Sequence, residues 1–408
     1  MKKTVNHILA AGLLALLSLA SCTDEFIEGN DLQGVDRDKR VEVRLPFGVG
    51  RGITTTITTR AAGGEIDYDS QLSGVMAFVY EAKSDNPEEN ELLAYHLFSN
   101  PSNKPLEGAT GGWIADNDDP TCGEIKFYVP VGDVYIYLLG NAQSSFLNFF
   151  PGVSGGDALG TQAEFFEKAT PKWNGNIHSV DGYLPLTGMV NNNTGLCHVN
   201  EQGQISYTDE EGKTHTLLPD GKHDEDNSFV LKRLMSKITM NIREGKGVKF
   251  TARDYTVRHI PHYVSPTAQA WTEEERDRIL VEDAKPVNFG LLDSLTFTIY
   301  LPENIRKVRS GVEITEYRQR DKVVKTADNK NTEETAPDDF HADNADNHKG
   351  HYKFEFAPKA STYIELTGWF ENADKTVAAD VRYYIHLGNF GKDLNHFSVE
   401  RDHHYTYN

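Results

Sequence analysis

VEVRLPF, residues 41–47, puts Val41, Val43, Leu45 and Phe47 at every second position, with Glu42, Arg44 and Pro46 between them. Side chains alternate across a strand, so the stretch predicts a β-strand with one apolar face. Pro46 has no N–H to give a ladder, which predicts an edge position or the end of a ladder. Just downstream, GITTTITTR (52–60) is rich in β-branched threonine and poor in apolar surface. It reads as a segment that is extended without being deeply buried. Upstream, residues 23–39 are acidic and aperiodic, the composition of a tether.

Working outward, strands are expected at 74–80, 92–98, 124–129, 133–139 and 184–190, separated by Gly, Pro, Asn and Asp. PVGD (130–133) reads as a tight turn, and QAEFFEKA (162–169) as a short helix. The polar stretch 200–227 divides the chain into an N-terminal domain, 40–227, and a C-terminal one, 228–408. In the second, residues 229–242, 255–264, 294–301, 353–370, 376–387 and 397–408 read as strands. WTEEERDRILVEDAK (271–285) is a helix candidate capped by Thr272, and 319–350 reads as a long solvated loop. Helix is scarce, βαβ spacing is absent and no repeat of 20–50 residues occurs. The fold class is therefore all-β: two antiparallel β-sandwich domains with few short helices.

The chain has 408 residues and a formal net charge of −20, from 41 Lys+Arg against 61 Asp+Glu. Such an acidic excess repels phosphate and excludes nucleic acid as a partner. At the N-terminus, Lys2 and Lys3 precede an apolar run from Ile8 to Leu19 and then small residues, the order of a secretory signal. Leu19-Ala20-Ser21-Cys22 resembles the lipobox of bacterial lipoproteins. In that reading residues 1–21 are removed, Cys22 is lipidated, and acyl chains anchor the protein to the outer membrane at the cell surface. Of the remaining cysteines, Cys122 and Cys197 either form a disulfide, contributing about 4 kcal/mol, or stay as two buried thiols.

The chemistry-bearing residues form no catalytic pattern. GxSxG, HExxH, P-loop and GxGxxG motifs are absent from the sequence, so no enzyme activity and no cofactor are expected. His341, His348 and His351, with Asp343 and Asp346, are the densest histidine group, but they fall in the polar loop, where nothing fixes a tetrahedral site. No metal site is expected. His403 and His404 adjoin on a strand and point to opposite faces. Trp113, Trp173, Trp271 and Trp369 can stack on sugars or serve as core.

Several segments together resemble the fimbrillin family, the type V pilins and minor subunits of surface fimbriae. They are LKRLMSKITMNI (231–242), YTVRHIPHY (255–263), IYLPENIR (299–306), STYIELTGWF (361–370), YYIHLG (383–388) and FSVERDHHYTYN (397–408), with VEVRLPFGV, the threonine run, Arg60 and GVMAFVY in the first half. The resemblance implies two transthyretin-like, Greek-key sandwiches and a fimbrial role, as a tip or accessory subunit. It also implies removal of an N-terminal strand by an Arg-specific protease, followed by strand addition from a neighbouring subunit. Val41, Val43, Leu45 and Phe47 then form the self-complementing strand within a removable segment 40–60, and the cut falls between Arg60 and Ala61, with Arg51 second. In fimbrillins the segment resembling HHYTYN runs on further, whereas this sequence stops at Asn408. The alternative reading is a non-polymerising surface lipoprotein that binds a glycan or a host protein.

Overall fold

The computed structural model describes residues 39–408 except 51–52, 58–71, 103–105, 107–108, 110, 117–120, 143–146, 149–159, 169–171, 179–182, 191–193, 220–227, 267–280, 292–294, 307, 309–310, 326–338 and 342–350. Cys22, Arg51, Arg60, Ala61, Trp271, Asp343, Asp346 and His348 lie outside the described residues.

The first half contains β1 (Arg40–Val49), β2 (Ile53–Ile57), β3 (Gly74–Glu81), β4 (Leu92–Ser99), β5 (Trp113–Ala115), β6 (Cys122–Pro130) and β7 (Gly132–Gly140), with the helix α1 at Gln162–Lys168. All but β2 of these strands join an 11-stranded sheet together with Leu186–Gly188, Leu196–Val199, Ile205–Thr208, Thr214–Thr216 and Phe229–Arg233. The GVMAFVY and DVYIYLLG runs of β3 and β7 are apolar at consecutive positions because both of their faces are buried. Val75, Ala77, Val79, Val134, Ile136 and Leu138 join Val43, Leu45 and Phe47 in one core. Phe78, Tyr80, Tyr137 and Leu139 face the other way, onto Phe165 of α1 and a cluster that continues into the second half.

The second half is built from two four-stranded sheets. One has the order β2, His403–Tyr407, Met235–Asn241, Thr296–Pro302; the other has Val287–Asn288, Val248–Arg258, Tyr363–Asn372, Ala378–His386. Ile238, Ile299 and Tyr405 share a core with Tyr255, Val257, Ile364 and Leu366, a sandwich-like arrangement. Tyr255 and Phe297 stack at 3.9 Å between ring centroids.

Several expectations are corrected. The stretch 229–242 is two strands: Phe229–Arg233 belongs to the large sheet, and the chain changes sheets at the buried Leu234 before Met235–Asn241. Phe229–Arg233 thus pairs with strands of the first half, and β2 with strands of the second. The sheets are not purely antiparallel, for three ladders are parallel: β1 with Phe229–Arg233, β2 with the last strand, and the last strand with Met235–Asn241. The physical reason is that residues 40–57 and 229–241 run the same way from the first sheet into the second. The polar stretch 200–227 contains strands over 205–208 and 214–216, because Ile205, Tyr207 and Leu217 still reach the core from a polar hairpin. The ends of the loop 319–350 form a small sheet of Val323–Lys325, His351–Phe354 and Asp339–His341, in which His341 and His351 are opposed in backbone register. Of the helix expected over 271–285, the described part departs from it: Val281–Glu282 pairs as a strand with Ile260–Pro261.

A buried cation organises the end of the second half. Arg320 is 2% exposed and donates through Nη1 to the carbonyls of Leu394 and His396 (3.0 Å), and through Nη2 to those of His386 (3.3 Å) and Leu387 (3.1 Å). Its guanidinium carbon lies 3.8 Å from the Phe397 ring centroid and 4.7 Å from that of Phe390. Burial pulls its pKa down to about 10, so it remains charged at neutral pH. Beside it, the buried His386 contacts Asp321 Oδ1 through Nδ1 at 2.7 Å. Burial lowers the pKa of His386 despite Asp321, and lowers that of His259 against the opposing pull of Asp283.

Those two histidines make stability pH-dependent. The unfolded chain protonates histidine near pH ~6.5 while the folded chain resists, so stability is full above that pH and falls below it. Each group lowers the unfolding free energy by up to about 1.4 kcal/mol per pH unit in that window. Urea unfolding between about pH 7 and pH 5 is expected to show a falling midpoint; a flat profile would contradict the neutral buried state.

Candidate functional site: the leading strands and their seats

The alternating residues of β1 decide its seat. Val43, Leu45 and Phe47 are fully buried, while Val41 is partly buried. On one side β1 lies antiparallel to β6, with Arg40 to Gly48 opposed to Pro130 to Cys122. On the other it runs parallel to Phe229–Arg233, but only Phe47, Gly48 and Val49 are paired. β1 is therefore an interior strand, which revises the edge expectation in part. The Val49 N–H reaches the Thr121 carbonyl (3.0 Å) and the Gly50 N–H the Leu231 carbonyl (2.9 Å). Odd-numbered residues thus bond towards β6 and even-numbered ones towards the other side. The missing N–H of Pro46 points to that second side, one residue before its ladder begins. The proline stands at the end of a ladder, as its chemistry requires.

Phe47 packs edge-on against Trp113, with ring centroids 4.9 Å apart. Room for it comes from Gly123 on β6, where an added Cβ would lie 3.2 Å from Phe47 Cζ and 2.8 Å from the Ile114 carbonyl. On the opposite face Arg44 pairs with the buried Glu124, Nη2 to Oε2 at 2.5 Å. Arg40 Nη2 donates to the Leu93 carbonyl of β4 at 3.1 Å.

The chain leaves β1 through a clasp. Arg233 Nη1 donates to the Gly50 carbonyl at 2.8 Å and to Asp402 Oδ1 at 2.8 Å. One guanidinium therefore ties the end of β1 to the turn that starts the last strand. Burial raises the pKa of Asp402 although Arg233 opposes it. Beyond the clasp, β2 lies parallel to the last strand from Ile53 opposite His403 to Ile57 opposite Tyr407, as the outermost strand of its sheet. The sequence pattern of β2 showed an extended segment but carried no sign of this partner.

The other sequence candidates are placed as follows. Cys122 begins β6 and Cys197 lies on a strand paired with β7; both are free, buried thiols, so the disulfide left open above is not formed. The two strands are far from adjacent in the sheet order, and a bridge needs Cα atoms within about 7 Å. Burial raises the Cys197 pKa and keeps the thiol neutral. Trp173 is buried with Nε1 donating to the Asn176 carbonyl at 2.9 Å, whereas Trp369 is 40% exposed. His403 and His404 do part to opposite faces: His403 Nδ1 meets the Arg401 carbonyl at 2.8 Å and His404 Nε2 meets Thr239 Oγ1 at 3.0 Å. Among the described residues, no group of three or more His, Cys, Asp or Glu side chains is arranged to hold a metal ion. No helix among them is long and apolar enough to cross a membrane.

Residues 299–408 match a family model described as Domain of unknown function (DUF4906). No curated protein matches the chain. Among solved structures the chain is similar to the C-terminally truncated tip fimbrial protein Mfa3 from Porphyromonas gingivalis, at 13% identity and a TM-score of 0.42, covering 90% of this chain and 93% of that one. It is also similar to a Bacteroides eggerthii protein described as a "putative cell adhesion protein", at 10% identity and a TM-score of 0.37, covering 91% and 85%. A Bacteroides ovatus protein described as a "putative adhesin" follows at 9% identity and a TM-score of 0.28, covering 67% and 70%. At these scores the likeness carries no assignment of function.

Proposed function

We propose that this chain is an exported, lipid-anchored, fimbrillin-like subunit of a surface fimbria, non-catalytic, with two transthyretin-like sandwiches. It joins its neighbours by giving up its leading strands and accepting an extended segment in their place. The observation that carries this reading is that β1 and β2 serve two different sheets and both precede Arg60. A single cut after Arg60 separates both from the rest of the chain. Vacating β1 would expose an apolar trough and a row of backbone groups on β6, which an incoming strand would satisfy.

Cutting alone does not vacate the seat. Val43, Leu45 and Phe47 each contribute about 1.5–3 kcal/mol by burial, and the β6 ladder adds to that. The severed segment stays held until an incoming strand displaces it, which keeps the subunit protected until assembly. N-terminal sequencing of subunits recovered from assembled fimbriae is expected to begin at Ala61. Assembled protein still beginning at Cys22 would overturn the reading, and saturable sugar binding by a protein that never forms oligomers would favour the non-polymerising alternative.

A further inference from the structure

Among the described residues, the second sandwich has one long edge strand. Ala378–His386 is bonded to Tyr363–Asn372 on one side only and ends its sheet. At nine residues it is the longest edge strand among the described residues. Two hydrogen bonds that bracket its ladder fix which amides it uses: Leu387 N–H to the Thr362 carbonyl (3.0 Å) and Val377 carbonyl from Asn372 N–H (3.0 Å). Odd-numbered residues therefore bond inward, and the amides of Ala378, Asp380 and Arg382 point away from the sheet. The His386 amide also points outward, where Asp321 Oδ1 accepts it at 2.9 Å and closes that end. Residues 378–380, 382 and 383 are exposed, with the Asp380 side chain 67% and Tyr383 42% accessible.

Native proteins often guard such an edge with charged side chains, and like charges opposed across a strand pair repel a second copy. Here the two charges are opposite and two positions apart, Asp380 and Arg382, on one face of the strand. An antiparallel copy related by a two-fold axis at Val381 sets Asp380 opposite Arg382 of the other copy, and Arg382 opposite its Asp380. The same register opposes outward amide to outward carbonyl at both pairs, places Val381 against Val381, and brings Ala379 against Tyr383. In the free chain Asp380 bonds Arg253 at 2.6 Å and Arg382 bonds Glu365 at 3.1 Å. Arg253 and Asp380 are 57% and 67% exposed, so that pair is readily shared, and Arg382, 41% exposed, leaves the buried Glu365 with Arg258 at 3.0 Å when it turns to a partner.

We propose that this edge is a self-association surface, at which two copies of the chain pair strand to strand about Val381 and join their two four-stranded sheets into one eight-stranded sheet. The interface is isologous and closes at a dimer. It is separate from the leading strands and independent of whether they are exchanged.

The test is the solution mass of the full chain by sedimentation across a concentration series, with circular dichroism confirming the fold of each variant. The parent chain is expected to double its mass with concentration. Asp380→Arg, which opposes like charges, is expected to weaken dimerisation by at least about tenfold, and Asp380→Arg with Arg382→Asp is expected to restore it. Asp380→Pro removes an outward amide without touching the inward ladder, and is expected to give a monomer. A parent chain monomeric at every concentration, or a dimer unmoved by Asp380→Arg and Asp380→Pro, would overturn the proposal.

Discussion

Leu45→Asp is expected to unseat β1. Removing a buried leucine side chain costs about 2–5 kcal/mol, and a carboxylate placed where Leu45 is fully buried adds several more. The total rivals the whole stability of an ordinary domain, roughly 5–15 kcal/mol. The strand is therefore driven from its seat between β6 and Phe229–Arg233, and the protein is expected to aggregate or to unfold at much lower urea. A synthetic peptide covering residues 40–57 and added in trans is expected to recover the soluble fold, since it restores both ladders. The control is Val41→Asp, at the partly buried start of the strand, which is expected to be far milder. Equal urea midpoints for the two variants would show that β1 does not contribute to the core in the way its burial implies.

The second large effect is expected at Arg320. Arg320→Leu keeps much of the apolar stem but leaves the carbonyls of His386, Leu387, Leu394 and His396 without their shared donor. Buried acceptors that lose a charged partner cost about 1–3 kcal/mol each where no water replaces it, so a loss of about 3–5 kcal/mol is expected. Arg320→Lys is expected to recover only part of this, because a point-charge ammonium cannot reach four carbonyls in the plane of a fork. Hydrogen exchange should accelerate most over residues 386–397. An unchanged urea midpoint in Arg320→Leu would refute the clamp.

How much of this was legible follows from burial pattern. β1 announced itself because its apolar side chains Val41, Val43, Leu45 and Phe47 all sit on one face and so keep a period of two, although Pro46 and Gly48 on the other face are buried as well. β3 and β7 read as strands, yet nothing in GVMAFVY told which residues face which core, since both faces are covered. The hairpin strands over 205–216 were hidden by their polar composition, and the sheet change at Leu234 by apolar residues that recur on both sides of it, Phe229 and Leu231 before and Met235 and Ile238 after. Partners remote in sequence left no mark at all: β2 meets a strand some 350 residues away, and parallel pairing follows from topology rather than from local pattern. Arg320 looked like one more charge in a polar stretch. Its four acceptors lie 66 to 76 residues further along, and only the folded chain brings them together.

The seating of β1 also sets how the molecule carries force. A pull applied at residue 40 along the strand axis loads the nine opposed pairs with β6 together, in shear. The same pairs peeled from one end would yield one after another. Traction along the strand axis thus meets far more resistance than stepwise peeling from one terminus.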